Sequence, residues 1–102
     1  MKIESVKIAD LKIAEVVVRQ HPAEQIKELV RSVQKFGQTR PIIVDENNVV
    51  LAGNGLVEAF KSMEAETINA YRVKDLSEDD KYKLMIADNK IFSLGYDDYS
   101  VI

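Results

Sequence analysis

The stretch VVLAGNGLVEAF, residues 49–60, sets the triplet Gly53-Asn54-Gly55 between a short apolar run and a helical pattern. A strand that passes through a glycine turn into a helix start is a phosphate-binding arrangement. Backbone N–H groups and the positive end of the helix dipole converge on the turn. The neighbouring residues complete neither of the common phosphate motifs. A P-loop requires Lys after its second glycine, where Leu56 stands, and a dinucleotide fingerprint requires a third glycine, where Glu58 stands. The glycines also have a plainer use, since the pair permits a tight strand-to-helix reversal with positive φ at Gly53 and Gly55.

Other chemistry-bearing residues are sparse. Arg40 precedes a β-rich run and Arg19 precedes a helix, and each taken singly reads first as a surface charge. Lys27, Arg31 and Lys35 recur every four residues as a basic ridge, but Glu24 and Glu28 stand beside them, so the ridge reads as a solvated, partly paired face. His21 is the only histidine and there is no cysteine, which removes thiolate catalysis and leaves no ligand set for a transition metal. Asp79-Asp80 and Asp97-Asp98 lack the alternate spacing of a calcium loop, and none of the serines sits in an elbow of glycines.

The elements that must position these residues follow from pattern. KIESVKIADLKIA alternates in part at period two (Ile3, Val6, Ile8) and predicts a first strand, with EVVV a second short apolar run. Pro22 suits the first position of a helix whose buried face is Ile26, Leu29, Val30, Val33 and Phe36, and Gly37 ends it. PIIVDENNVVLA reads as a hairpin turning at Asp45-Glu46-Asn47-Asn48. After the glycine turn comes a helix to about Met63, with Leu56, Val57, Phe60 and Met63 on one side; TINAYRV is a further strand. Ser77 then opens a last helix that runs to about Phe92, with Gly95 ending it. The order strand-helix-hairpin-helix-strand-helix predicts one mixed α+β domain over residues 1–102.

Composition sets outer bounds. Residues 1–44 carry a balance of +3 and residues 45–102 of −6, for a net charge of −3, which argues against coating nucleic acid by charge alone while permitting a basic face. No apolar run reaches the roughly 18–20 residues of a membrane helix. The N-terminus MKIESVKIAD is unlike a signal peptide, and the absence of cysteine fits a reducing cytoplasm.

RQHPAEQIKELVRSVQKFGQTRPIIVDENNVVLAGNGLVEAFKSM, followed by LMIADNKIFSLG, resembles the ParB-like domain of the ParB/sulfiredoxin superfamily. The form it is most similar to is the small one found in phage proteins and ahead of DNA methyltransferase domains. The resemblance runs from about Ile3 to Tyr99, through the His-Pro helix start, FGQ…PIIVD, AGNG…EAF and ADNK. It implies an α+β fold with a small mixed sheet and three main helices. The chain ends at YDDYSVI, where relatives continue into a methyltransferase, so the resemblance implies a domain excised from a longer protein.

The resemblance also makes the glycine turn the ligand loop. Gly53 matches the first glycine of that loop, and Gly55 its small residue. Asn54 stands where ParB-type members carry Glu, methylase-linked members His and sulfiredoxin its catalytic Cys. Leu56 replaces the phosphate-binding Arg. Without a thiol there is no sulfiredoxin chemistry, and without the Arg the loop loses charge-assisted bidentate capture. The expected ligand residues are Gly53, Asn54, Gly55 and Leu56 with Arg40, Gln38 and Arg19; Glu58 and Asp88, with Asp97 and Asp98, are the acids a nuclease would draw on.

The expected function is that of a DNA-associated binding domain with a degenerate phosphate loop, a weakly held nucleoside triphosphate as its cofactor, and no strong case for an enzyme. One alternative is a ParB-like nuclease, phosphodiesterase or nucleotide hydrolase. Another is an interaction module that positions a fused methyltransferase.

Overall fold

The computed structural model describes residues 2–13 and 23–93, the last five by backbone alone. Arg19, the His21-Pro22 helix start, the EVVV run, Gly95, Asp97, Asp98 and the tail from Tyr99 lie outside the described residues. In chain order the elements are β1 (Ile3–Lys7), β2 (Lys12–Ile13), α1 (Ala23–Phe36), β3 (Ile42–Val44), β4 (Val49–Ala52), α2 (Asn54–Ser62), β5 (Thr67–Arg72) and α3 (Glu78–Ser93). The strands form one mixed sheet in the order β1-β5-β3-β4-β2. The β1–β5 and β3–β4 pairs are antiparallel, and the β5–β3 and β4–β2 pairs are parallel.

The first strand stops short of its alternating pattern. Ile8–Asp10 form a single 3-10 turn, because the chain must leave one edge of the sheet and reach the other. The Ile8 N–H donates to the Glu66 carbonyl at 2.9 Å, the Leu11 N–H to Ile8 at 3.1 Å and the Lys12 N–H to Asn48 at 2.9 Å. Ile8 therefore joins the core after the strand has ended.

The hairpin forms as its turn residues dictate. Asp45 Oδ1 accepts the N–H groups of Asn47 (2.8 Å) and Val49 (2.9 Å), and Asn48 takes φ +65°, a left-handed value its short amide tolerates. The β3–β4 register shifts at Ile43/Val44. Val6, Ile8, Ile42, Val44, Val50, Val57, Phe60, Ile68 and Ala70 make the core, with Leu11, Val33, Leu56, Met63 and Ala65 packed against it. Leu51 is fully buried outside that cluster, on the strand along which α3 packs.

In α1 the expected apolar face holds for Leu29, which is buried, and for Ile26, Val30 and Val33, which are half-buried. Phe36 departs from it: the ring is 67% exposed, with Lys35 Nζ 5.3 Å from its centroid. The helix ends at Phe36 and Gly37 turns away at φ +77°, so the last side chain of the stripe has no neighbour left to pack on. Ser77 caps α3, its Oγ accepting the Asp80 N–H at 3.0 Å. Among the described residues no helix is long and apolar enough to cross a membrane.

One turn into α3 stands Lys81, a buried cation. Its Nζ lies 3.0 Å from Asp45 Oδ2, 2.6 Å from Glu46 Oε1 and 3.5 Å from Glu78 Oε1. Burial alone would raise the Asp45 pKa. The Val49 N–H, the Lys81 ammonium and the Asn47 N–H outweigh it and hold the carboxyl below its ordinary value. Arg72 extends the network, donating to the Asp45 carbonyl at 2.6 Å and pairing with Glu4 at 2.8 Å. This cluster ties α3 to the hairpin turn.

Candidate nucleotide and nucleic-acid site

β4 runs straight into the glycine turn. Gly53 is the residue before α2 and adopts φ +101°, a conformation that L side chains rarely take. A Cβ built there would stand 2.6 Å from Ile42 Cγ2 and 3.0 Å from Ile42 Cβ, so the turn is closed down onto the core. Gly55 does not share this conformation: it is a buried residue of α2, and the expectation of positive φ at both glycines is corrected. One left-handed residue is enough to reverse the chain, and the helix has begun by Asn54.

The turn's polar groups are few. The Gly53 N–H donates to Asp88 Oδ2 at 3.1 Å, across 35 residues of chain. Helix α2 has no side-chain cap of its own and no acidic residue in its first turn. Asn54 Oδ1 is buried without a hydrogen-bond partner among the described residues. Leu56, which the resemblance sets in place of an Arg, is half-buried and packs against the core.

The antiparallel register pairs Ile43 with Ala52, which brings the head of β3, with Arg40 and Pro41, to the end of the sheet that carries Gly53. Gln38 works as a clamp at that head. Its Nε2 donates to the Asn69 carbonyl (2.8 Å) and the Arg40 carbonyl (2.9 Å), and its Oε1 accepts the Asn69 N–H (2.8 Å). Asn69 precedes the first β5 residue paired with β3, so the side-chain amide continues the ladder where β3 has not yet begun. Gln38→Ala should therefore cost about 1–2 kcal/mol, read in a urea melt, and speed hydrogen exchange at the Asn69 amide; unchanged exchange there would contradict the clamp.

The other expected residues fall elsewhere. Glu58 is exposed on α2, and among the described residues no three His, Asp or Glu side chains gather where they could hold a metal. On α1, Lys27 lies 4.0 Å from Glu24 and Arg31 pairs with Glu28, all exposed. A shallow groove lined by Ile26, Lys27, Val30, Arg31 and Ser62 follows that ridge, at the end of α2 away from the glycine turn. In the sequence Asp88 reads only as a candidate acid, and neither Lys81 nor Arg72 stands out. Their partners are distant in sequence, and no local pattern marks them.

Comparison with known proteins agrees with this architecture. The model of the ParB N-terminal domain matches residues 1–90. The ParB-like nuclease domain-containing protein YnaK of Escherichia coli K12 is 31% identical over 65 residues, which are 64% of this chain and 75% of YnaK. The C-terminally truncated chromosome-partitioning protein ParB of Caulobacter crescentus, complexed with CTP-γ-S, superposes with TM-score 0.74 at 18% identity, over 87% of this chain and 53% of that one. A Pnob8-like ParB-N domain gives 0.72 at 21% identity, over 88% of this chain and 38% of that one. The chain thus spans only 38% and 53% of these two ParB structures. Sulfiredoxin of Arabidopsis thaliana gives 0.68 at 22% identity, over 74% of this chain and 88% of the other. With the α+β fold, the glycine turn and the family match in agreement, the chain belongs to the ParB N-terminal domain family and shares its fold with sulfiredoxin.

Proposed function

We propose that the chain is a DNA-associated binding domain of a phage or mobile-element protein, whose glycine turn holds a nucleotide or nucleic-acid phosphate weakly. The observation that carries the reading is Gly53, left-handed at the junction of β4 and α2, with the head of β3 and Arg40 at the same end of the sheet. A nucleotide as ligand is supported by the Caulobacter ParB structure of the same fold, which was obtained with CTP-γ-S. Weak binding is supported by Leu56, which supplies no cation to the turn, and by the net charge of −3. In such a protein the domain would place a fused or associated unit, a methyltransferase for example, on its DNA.

Fluorescence anisotropy with a short duplex, at low and moderate salt, tests the DNA half of this reading. The expected result is weak, sequence-independent binding that falls steeply with salt and is reduced in Arg40→Ala or Lys27→Ala. Calorimetric titration with nucleoside triphosphates tests the other half, with dissociation constants expected on the order of 0.1–1 mM. No binding of either ligand at low salt would overturn the proposal in favour of an interaction module. The name of YnaK points instead to a nuclease. Cleavage of the duplex with magnesium present would establish that second reading.

A further inference from the structure

Deepening the nucleic-acid reading above, and resting on it, we propose that Phe36 is a stacking platform for an unpaired base. A single strand is then the form of nucleic acid the domain prefers. Phe36 is the last residue of α1 and is 67% exposed, even with the Lys35 ammonium 5.3 Å from its ring centroid. A ring this open, with a cation beside it, offers the two contacts that a single strand takes. The ring receives a base and the ammonium receives the adjoining phosphate.

Charge sets this ring apart from the other exposed apolar side chains. Among the described residues, Ile3 adjoins Glu4, Ile13 lies three residues from Asp10, Tyr82 two from Asp80 and Ile86 two from Asp88. Phe36 has no acid within seven residues on either side. It lies in the longest acid-free run of the chain, residues 29–44, which carries Arg31, Lys35 and Arg40. Arg31 pairs with Glu28, so the cation that accompanies the ring is Lys35. The same ammonium, in the last turn of α1, offsets the negative end of the helix dipole. The surface around it is open, since residues 34–37 and 39–41 are exposed. An apolar protein partner would use the ring and gain nothing from this charge, whereas a polyanion uses both.

That the base is unpaired follows from the geometry of nucleic acid. In a duplex each base face is covered by its neighbours and only the edges reach the grooves, so a lone ring finds no face to stack on. In a single strand every base has a free face, and the contact is tolerant of sequence.

The test compares wild type, Phe36→Ala and Phe36→Trp by fluorescence anisotropy at low salt. The ligands are an oligothymidylate, a duplex and an abasic oligomer, all of one length. Wild type should bind the oligothymidylate more tightly than the duplex, and Phe36→Ala should lose about tenfold on the oligothymidylate alone. Phe36→Trp should keep the affinity. The chain has no other tryptophan, so the emission of this variant reports the contact directly. It should be quenched by the oligothymidylate and left unchanged by the abasic oligomer. Wild type that binds duplex as tightly as single strand, or Phe36→Ala that binds the oligothymidylate as well as wild type, would overturn the inference and leave the DNA reading in place. Quenching as strong with the abasic oligomer would do the same. No binding of any of the three by wild type would overturn both. A wild-type dimer in sedimentation that Phe36→Ala abolishes would give the ring to a second copy of the chain, and would also overturn the inference.

Discussion

Replacing Lys81 with alanine should lower the midpoint of thermal unfolding by about 10 °C or more, the largest loss expected from any single charge in the domain. The side chain is 9% exposed and faces Asp45, itself 4% exposed, at 3.0 Å. Truncation leaves the Asp45 carboxylate out of reach of both water and a countercharge, and such an orphan is far more costly than a lost surface pair. Glu78, 93% exposed, adds little to the cluster. If the loss comes from the orphaned carboxylate, the double variant Lys81→Met/Asp45→Asn should recover most of it. Asn keeps the acceptor oxygen that binds the Asn47 and Val49 N–H groups. Calorimetry of the wild type and the two variants decides the matter, and a single variant as stable as wild type would show that the cluster does not hold α3.

The same cluster sets the response to pH. Asp45 is held below its ordinary pKa because its hydrogen bonds outweigh burial, and Glu46 is held below its own chiefly by the Lys81 hydrogen bond. A carboxylate depressed in the folded state contributes stability above its unfolded value of about 4, lost as pH falls through the lower folded value. Lys81 is raised, by Glu46 first and Asp45 second. Its contribution is present in full below its unfolded value of about 10.4 and is lost only as pH rises through the folded one. Stability should therefore be level from about pH 5 to 10 and fall on the acid side, with the acid limb shallower in Lys81→Ala.

What the sequence made legible was local. The Asp45 turn, the Ser77 cap and the Gly37 helix end each rest on residues within four positions of one another, and each formed as expected. The glycine pair shows the limit of that reasoning. Gly53 and Gly55 look alike as letters, yet only the first is left-handed, because where the helix begins depends on how closely β4 is drawn onto Ile42. The contacts that fix α3 join residues 35 positions apart and leave no periodic trace. The resemblance sets Leu56 where an Arg is expected. Its packing against the core is visible only in the folded chain.

Gly53→Ala should destabilise the domain by about 3 kcal/mol, a sum of roughly 1–2 for a left-handed alanine and 1–3 for forcing a methyl group into a packed site. The second part follows from the 2.6 Å approach to Ile42 Cγ2, on a side chain only 1% exposed and held in the core. Gly37 supplies the control within the same chain. Its φ is +77° and a Cβ there would meet nothing within 4 Å, so Gly37→Ala carries the conformational cost alone, about 1–2 kcal/mol. Urea melts of the two variants should differ by the packing cost, with Gly53→Ala the less stable. Equal losses would mean that Ile42 gives way freely and that the turn is not pressed onto the core. The larger loss at Gly53 would tie the shape of the loop to the hydrophobic core: the backbone N–H that meets Asp88 is aimed by the packing of Ile42 beneath it.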